Sequence, residues 1–297
     1  MRYLKIIKLS MTIIFALVLT VTGCDQAGQK LSQKKAEQSF KSLNPEAEVN
    51  IKDIRPTPMK GIYEVVAEDN NGRYAIVYMS GNAKYLISGN LIDVNNKENM
   101  TLEREHDLTK VDFASIPFSN SIILGNPEAA NKVFVFSDPS CLPCAFYHEE
   151  LKKAVREHED ITVYLKMFAL PQLDPKSYEK ARAIHCGKDN EEALKRLDIL
   201  YAAETVPYPD CEGSAVDENM ALASRLKILR SPTTIFPNGV KIAELMRADD
   251  FVRELEKRGG SPVAKKSSEE SPEENPAAEP DGKSQLDKQE KGQTEER

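Results

Sequence analysis

Three segments in the first third of the chain alternate apolar and polar residues with a period of two. They are GIYEVVAED (61–69), GRYAIVYMS (72–80) and AKYLISGNLIDV (83–94). Successive side chains of a strand point to opposite faces, so this alternation predicts a small antiparallel sheet. Such a sheet has little core of its own and leaves strand edges open. We therefore expect it to pair with a second copy of the chain.

Helices are predicted on either side of this sheet. Residues 32–43 have the pattern of a short polar helix, and ENMTLEREHDLTKVDF (98–113) is charged and compatible with a helix. The second segment suits a spacer between domains. Its pattern alone fits equally well an ordinary surface helix packed on either domain.

From about Ile122 onward the pattern is that of one α/β domain. KVFVF (132–136) and ITVYLKMF (161–168) are short runs rich in β-branched and aromatic residues, which predict buried strands. TTIF, a Pro-Asn-Gly turn and VKIAEL (233–245) predict an antiparallel strand pair. DDFVRELEKR (249–258) predicts a closing amphipathic helix.

Two cysteines, Cys141 and Cys144, lie where the first of these strands gives way to a helical pattern. Cys141 is predicted at the helix N-terminus, where unpaired N–H groups and the helix dipole favour a thiolate over a thiol. Cys144, one turn deeper, is placed to attack a mixed disulfide on Cys141. The alternative is a zinc site, but structural zinc takes four ligands, and no second spaced Cys or His pair is present. We therefore predict a redox pair with no metal and no cofactor.

Three nearby polar residues carry weaker signals. Asp138 fits either proton transfer to the nucleophile or the turn that ends the strand. His148 and His185 have no identifiable partner, and a packed or surface histidine accounts for each.

The N-terminus has the pattern of a secretory signal. Three basic residues precede the apolar run MTIIFALVLTV (11–21), which is shorter than the ~20 residues of a spanning helix. The run ends in VTGC, which resembles the lipobox of bacterial lipoproteins, in which the chain is cleaved before Cys24 and that cysteine is lipidated. Asp25 resembles the signal that retains lipoproteins at the inner membrane. We expect a periplasmic protein anchored through Cys24; an ordinary signal peptide is the alternative.

The charge balance excludes one class of partner. The formal net charge of −7 becomes −10 when the three basic residues of the signal are removed. An acidic surface is a poor match for nucleic acid or anionic lipid. Membrane contact is therefore expected through the acyl chains on Cys24 alone.

With Cys24 assigned to lipid, four cysteines remain, an even number in a compartment that permits disulfides. Cys141 pairs with Cys144 when oxidised, which leaves Cys186 and Cys211 for each other. We expect this second disulfide to be structural and to stabilise the fold by about 3 kcal/mol.

Over about residues 34–258 the chain resembles the DsbC family of bacterial periplasmic disulfide isomerases. VFSDPSCLPC resembles the family's strand and active-site turn, KYLISGNLIDV its N-terminal dimerisation sheet, and LRSPTTIFPNGVKI the segment that carries its cis-proline. The resemblance implies an α+β chain with a small dimerisation sheet, a linker helix and a C-terminal thioredoxin-like domain with a helical insert. It also implies a V-shaped homodimer whose cleft receives misfolded disulfide-containing exported proteins. A membrane reductase of the DsbD type would keep the cysteines reduced.

Residue by residue, the resemblance makes Cys141 the attacking thiol and Cys144 the resolving thiol. The substrate-binding loop at the cis-proline falls on Ser231, Pro232 and Thr233. A proline lacks an N–H, so neighbouring backbone groups there are free to pair with an extended substrate segment.

The family's second, structural bridge falls on Cys186 and Cys211. Two features depart from the family pattern. Leu142-Pro143 stands between the active cysteines where well-known isomerases carry Gly-Tyr, and the segment 259–297 is rich in Glu, Lys, Ser and Pro. A segment of that composition cannot bury a core, so we expect it to be disordered.

Five regions are therefore predicted. They are a signal peptide (1–23), an N-terminal dimerisation domain (24–97), a linker helix (98–118), a thioredoxin-like catalytic domain (119–258) and a charged tail (259–297). The function expected is that of a lipid-anchored periplasmic thiol:disulfide isomerase or reductase. A dithiol oxidase on the same fold and a non-catalytic chaperone are the alternatives.

Overall fold

A computed structural model describes residues 30–263, except 47, 71, 208–210 and 212. The predicted signal peptide, the lipidation site at Cys24 and the tail from residue 264 onward lie outside the described residues. Within the described range, no helix has both the length and the apolar character needed to cross a membrane.

The N-terminal domain is one helix on a four-stranded antiparallel sheet in the order β1-β2-β3-β4. Its elements are α1 (Gln33–Leu43), β1 (Asn50–Pro56), β2 (Ile62–Glu68), β3 (Tyr74–Ser80) and β4 (Leu86–Ile87). One face of the sheet, including Val65 and Val77, packs against Ala36 of α1. The opposite face carries Val66, Ile76 and Tyr78, which are also buried. The sheet is therefore covered on both faces along its two central strands.

Two strand predictions need correction here. The first strand, β1, is missing from the sequence prediction because a bulge between Ile51 and Asp53 shifts its register. A bulge places two residues opposite one and breaks the alternation on which a strand is recognised. The alternating segment 83–94 is also not one strand, because it is interrupted at residues 88–91 and forms β4 and β5 (Ile92–Asp93) in different sheets.

The predicted linker helix, 98–118, is only partly helical. β5 pairs with β6 (Glu98–Asn99), and α2 (Met100–Leu108) follows, so the helix is shorter than the predicted 98–118. Asn99 caps α2 by accepting the N–H of Leu102 at 3.0 Å. α2 packs on the N-terminal sheet, where the Thr101 hydroxyl hydrogen-bonds Tyr78.

The C-terminal domain is a five-stranded sheet with helices on both faces, in the order β11-β10-β8-β9-β7. β8 and β9 are parallel and the other pairs are antiparallel. Its strands are β7 (Ile122–Gly125), β8 (Asn131–Ser137), β9 (Ile161–Met167), β10 (Thr233–Ile235) and β11 (Lys241–Ile242). Its helices are α3 (Leu142–Glu157), α4 (Ser177–His185), α5 (Asn190–Tyr201), α6 (Ser214–Arg225) and α7 (Ala248–Lys257).

Both faces of this sheet are buried in apolar cores. Val133 and Val135 of β8 face one core with Leu151 of α3 and Phe251 of α7. The alternate residues of β8 face a second core, which Leu222 of α6 closes. The predicted α+β class, a small N-terminal sheet followed by a thioredoxin-like domain with a helical insert, is confirmed.

Contacts of the C-terminal domain continue past residue 258, where its end was predicted. Gly260 N–H donates to the carbonyl of Leu255 at 2.9 Å, and Ser261 N–H donates to the Asn131 side chain at 2.7 Å. Val263 packs against the main core. These contacts are made largely by backbone groups, which a composition rich in polar residues does not reveal.

Candidate active site

The two cysteines occupy the first turn of α3, directly after the central strand β8. Cys141 is the N-cap of α3, and its side chain makes no capping hydrogen bond of the usual N-cap kind. Its own N–H donates to the carbonyl of Asp138 at 3.1 Å, which fixes the turn. The first turn carries no acidic side chain that would oppose a thiolate. Both cysteines are free thiols and nearly buried, at 5% and 1% exposure for Cys141 and Cys144.

The two thiols have opposite acidities. A hydrogen bond from the Cys144 thiol is the main cause that lowers the pKa of Cys141 to about 7; burial opposes it, while the Cys144 N–H and the Ser231 hydroxyl reinforce it. Burial is the main cause that raises the pKa of Cys144 far above the usual range, and the neighbouring Cys141 sulfur adds to it. At neutral pH Cys141 therefore supplies the thiolate and Cys144 keeps its proton.

A loop containing a cis Ser231-Pro232 peptide bond lies against both sulfurs. The Ser231 carbonyl oxygen is 3.3 Å from Cys141 Sγ, and the Ser231 hydroxyl is 2.8 Å from Cys144 Sγ. Thr233 pairs with Phe136 in the sheet, and its hydroxyl donates to the carbonyl of Arg230 at 2.7 Å. The structure thus brings together the cysteine pair and the loop that the resemblance implied. The Thr233 side chain, in contrast, is turned into the loop itself.

The Asp138 side chain stabilises the turn that precedes the cysteines. Its carboxylate is fully buried and accepts hydrogen bonds from Ser140 N–H at 2.7 Å, Leu170 N–H at 2.6 Å and the Ser177 hydroxyl at 2.9 Å. Burial is the main cause that raises its pKa. Because the three donors come from the turn itself, from Leu170 and from Ser177, Asp138 holds three segments together around the cysteines.

The helical insert supplies the wall behind the thiols, which the sequence analysis did not identify. Tyr201 of α5 shares a 2.6 Å hydrogen bond with the hydroxyl of Ser137 at the end of β8. His148 Nε2 is 2.8 Å from Asp198 of the same helix, and burial lowers the pKa of His148. Asp198 is thus the partner that the sequence left unnamed for His148. His148 and Asp198 are 50 residues apart in the sequence, so their pairing cannot be recognised from the sequence alone.

The second cysteine pair ties this insert together. Cys186, which follows α4, forms a disulfide with Cys211, and their Cα atoms are 6.1 Å apart. His185, next to this bridge, is largely buried, and burial lowers its pKa to about 4.

One cluster of possible metal ligands occurs among the described residues. His148, Glu149 and Asp198 each offer a ligand atom within 4.8 Å of the others. The ammonium group of Lys152 already lies among them, 3.0 Å from Glu149 and 3.2 Å from Asp198. A lysine in that position supplies the positive charge that the carboxylates require, so the cluster is explained as ion pairs.

Large apolar side chains are exposed beside the thiols. We call Leu142, Phe146 and Leu229 the apolar rim, because Leu142 lies between the two cysteines, Phe146 follows them in α3 and Leu229 precedes the cis-proline loop. Leu142 is 67% and Leu229 77% exposed. Clustered apolar side chains at the surface of a domain are typical of a surface that binds other molecules.

A cysteine pair at a helix N-terminus after a central strand, with a cis-proline loop beside it, defines a thioredoxin-like redox domain. Comparison with known proteins agrees: residues 120–259 match the family of thioredoxin-like domains. Residues 27–102 match the disulfide bond isomerase protein N-terminal domain. These two ranges together take in most of the chain, which therefore carries an N-terminal domain of the disulfide bond isomerase type and a thioredoxin-like domain.

Similar proteins carry the same description. The chain is 27% identical over 170 residues to a probable thiol:disulfide interchange protein DsbC of Bordetella pertussis, covering 57% of this chain and 58% of that protein. It is 22% identical to the thiol:disulfide interchange protein DsbC of Salmonella typhimurium, covering 52% and 61%. The chain thus matches less than two thirds of the length of these curated relatives. Among solved structures, a disulfide interchange protein from Neisseria gonorrhoeae is 25% identical, with a TM-score of 0.43, covering 49% of this chain and all of that one.

Proposed function

We propose that this protein is a thiol:disulfide isomerase and reductase that acts on exported proteins through Cys141 and Cys144. The observation that carries the proposal is the pairing of a nucleophilic Cys141, with a pKa of about 7, with a buried and protonated Cys144. An attacking thiol is most effective when its pKa lies near the ambient pH.

The chemistry follows from these two states. The Cys141 thiolate attacks one sulfur of a substrate disulfide, forms a mixed disulfide and releases the other substrate sulfur as a thiolate. In isomerisation, a substrate thiolate attacks the mixed disulfide and regenerates Cys141, so the protein is neither oxidised nor reduced. In reduction, Cys144 attacks Cys141, releases the substrate thiol and leaves a Cys141–Cys144 disulfide that two electrons must restore.

Substrate binding is assigned to Ser231, Pro232 and Thr233 together with the apolar rim. A chain segment that reaches the nearly buried Cys141 must pass the loop, whose carbonyl lies 3.3 Å from that sulfur. Extended segments bind such sites through backbone hydrogen bonds. The exposed leucines on either side suit misfolded proteins, which expose apolar side chains.

A homodimer is proposed from the surface of the N-terminal domain. β4 is an edge strand of two residues, and large apolar side chains are exposed along it and the segment that follows: Tyr85, Ile87, Ile92 and Val94. Val94 is 80% exposed. An open strand edge with exposed apolar residues favours pairing, and a second copy would cover both. Two catalytic domains would then face a common cleft.

Substitution at this surface tests the dimer and its function together. Ile87→Asp places a charge in the proposed interface, and Leu43→Asp, on the exposed end of α1, is a matched control in the same domain. We expect Ile87→Asp to halve the mass measured by light scattering, to retain reduction of a small disulfide and to lose most reshuffling of a scrambled multi-disulfide protein. A monomeric parent, or a monomeric variant that reshuffles as well as the parent, would contradict the dimeric isomerase.

Location and electron supply are proposed from the N-terminal sequence. A periplasmic protein held at the inner membrane through lipid on Cys24 would take electrons from a membrane reductase of the DsbD type. Cys24→Ser is expected to shift the full-length protein from the detergent phase to the aqueous phase on partition. If Cys24→Ser partitions like the parent, Cys24 carries no lipid and the proposed anchor is wrong.

The alternatives differ in specific measurements. A strongly oxidising thiol pair has a strongly acidic nucleophile, whereas the pKa of Cys141 is lowered only to about 7, which favours a reductase or isomerase over an oxidase. A non-catalytic chaperone would suppress aggregation equally well when Cys141 and Cys144 are both replaced by alanine.

A further inference from the structure

The resolving cysteine has a proton that it must lose. Resting on the proposed function, the second half of a reduction cycle requires Cys144 to attack Cys141 as a thiolate. Cys144 is only 1% exposed, so bulk water has little access to its sulfur. Some neighbouring group must therefore accept the proton during the attack.

The buried carboxylate of the active-site turn, Asp138, already has hydrogen-bond donors. The Asp138 carboxylate accepts hydrogen bonds from two backbone N–H groups and from the Ser177 hydroxyl. Taking up the thiol proton would neutralise the carboxylate and weaken these hydrogen bonds, which are stronger to a charged acceptor than to a neutral one. Asp138 is therefore a poor base for Cys144.

The Ser231 hydroxyl is in the required position. Its oxygen lies 2.8 Å from Cys144 Sγ and accepts the Asp138 N–H at 2.9 Å. A hydroxyl has one donor and two acceptor positions, so one lone pair and the O–H proton remain for exchange. Ser231 is also only partly buried, and its hydroxyl acts on Cys141 as well, since it helps to stabilise that thiolate. The hydroxyl of Ser231 thus contacts the buried thiol, while the backbone carbonyl of the same residue lies 3.3 Å from the sulfur that carries the substrate.

We propose that the Ser231 hydroxyl relays the proton of Cys144 to the departing substrate sulfur in the resolving step. Cys144 gives its proton to Ser231 Oγ while its sulfur forms a bond to Cys141 Sγ. The bond between Cys141 and the substrate sulfur breaks, and the substrate sulfur takes the proton that leaves Ser231. Cys141 and Cys144 are oxidised to a disulfide and the substrate sulfur is reduced to a thiol, so atoms and electrons balance with no further reactant.

This role gives Ser231 control over the outcome of a turnover. A mixed disulfide that resolves quickly ends as a reduced substrate, whereas one that persists gives the substrate time to try other pairings. Loss of the hydroxyl is therefore expected to slow reduction and to raise the share of turnovers that end in isomerisation. A residue that only bound substrate backbone would not change this ratio.

The test compares Ser231→Thr, which keeps a hydroxyl, with Ser231→Val, in which a methyl group stands where threonine has its hydroxyl. The reduced full-length protein is mixed with an aromatic disulfide whose thiolate is coloured. The first thiolate released reports attack by Cys141, and the second reports attack by Cys144. We expect the ratio of the second rate constant to the first to stay within about threefold of the parent in Ser231→Thr and to fall about tenfold or more in Ser231→Val, as for loss of a proton-transfer group.

Two further measurements separate proton transfer from a structural effect. In the parent, heavy water should slow the second release more than it slows the first. In Ser231→Val, heavy water should slow the two releases equally. With glutathione as the departing thiol, which must be protonated at neutral pH, the defect of Ser231→Val should be larger than with the coloured thiolate. Ser231→Ala, with less bulk, repeats the comparison if the valine disturbs the loop.

The outcomes distinguish this inference from the proposed function. Equal ratios in Ser231→Thr and Ser231→Val, or a parent with no solvent isotope effect on the second release, overturn the relay while attack by Cys141 persists. A parent in which the first release itself is absent overturns the proposed function.

Discussion

Replacing Glu103 with glutamine is expected to weaken the attachment of α2 to the catalytic domain. Arg258, at the end of α7, donates to both carboxylate oxygens of Glu103 at 2.7 and 2.8 Å, and Lys257 adds a contact at 2.8 Å. The next residue, Arg104, binds Asp53 in the N-terminal sheet at 2.6 Å. Neighbouring residues of one short helix therefore bind the two domains, and Glu103 supplies the bond to the catalytic side.

The lowered pKa of Glu103 gives an upper limit for the free energy of unfolding that the substitution should cost. Burial alone would raise it, but the hydrogen bonds from Arg258 and Lys257 lower it from 4.5 to about 2. One pKa unit corresponds to ~1.4 kcal/mol, so the shift is equivalent to at most about 3 kcal/mol. The Glu103 side chain is a quarter exposed, and solvent screening reduces the expected loss to about 2 kcal/mol. Arg258 is nearly buried and retains Glu254 as a partner at 2.9 Å.

The stabilisation that Glu103 provides should decrease as the pH falls. Because the folded-state pKa of Glu103 is depressed, its contribution is fully present above the unfolded value near 4.5 and is lost as pH falls toward 2. Urea unfolding of the parent and of Glu103→Gln should therefore differ at pH 7 and converge as the pH is lowered from 4.5. Glu98→Gln is the control, since Glu98 is largely exposed and contacts Lys257 only at 3.5 Å. Equal stabilities of Glu103→Gln and parent at pH 7, or a difference that persists into acid, would refute this reasoning.

Two further predictions concern the cysteines. In the reduced protein the thiolate absorbance should titrate with a midpoint at about 7, and Cys144→Ala should raise that midpoint because the hydrogen bond from Cys144 is the main cause of the low pKa of Cys141; an unchanged midpoint would mean that the helix terminus alone is responsible. Replacing Cys186 and Cys211 together by alanine should cost about 3 kcal/mol in urea unfolding and leave reduction of a small disulfide intact. Parent-like stability would contradict a structural role.

The catalytic domain was predictable because its central strands are buried on both faces. Val133 and Phe134 face different cores, so the run KVFVF is continuously apolar and stands out in the sequence. β1, in contrast, could not be recognised from the sequence. Its apolar residues Ile51 and Ile54 are three apart because of the bulge, and this spacing matches neither a strand nor a helix over so short a segment.

The candidate site was predictable in its reacting atoms and not in their surroundings. Cys141 and Cys144 are close in sequence and carry a recognisable spacing. The contact between Cys144 and the Ser231 side chain joins residues 87 positions apart, and the pairing of His148 with Asp198 spans 50. Contacts at such separations depend on how the sheet and the insert pack, which one sequence does not specify.

The dipeptide Leu142-Pro143 connects the thiol chemistry to the choice between isomerase and oxidase. Pro143 has no N–H to donate, so the donors to the Cys141 sulfur come from Cys144 and Ser231. These donors stabilise the thiolate only moderately, and a moderately stabilised thiolate makes the Cys141–Cys144 disulfide harder to reduce than that of a strong oxidant. Such a pair has little tendency to donate its disulfide to substrates. We therefore expect the departure from the Gly-Tyr of well-known isomerases to favour reduction over oxidation. A dimeric cleft that holds the substrate in place is what would let a reducing thiol pair isomerise disulfides.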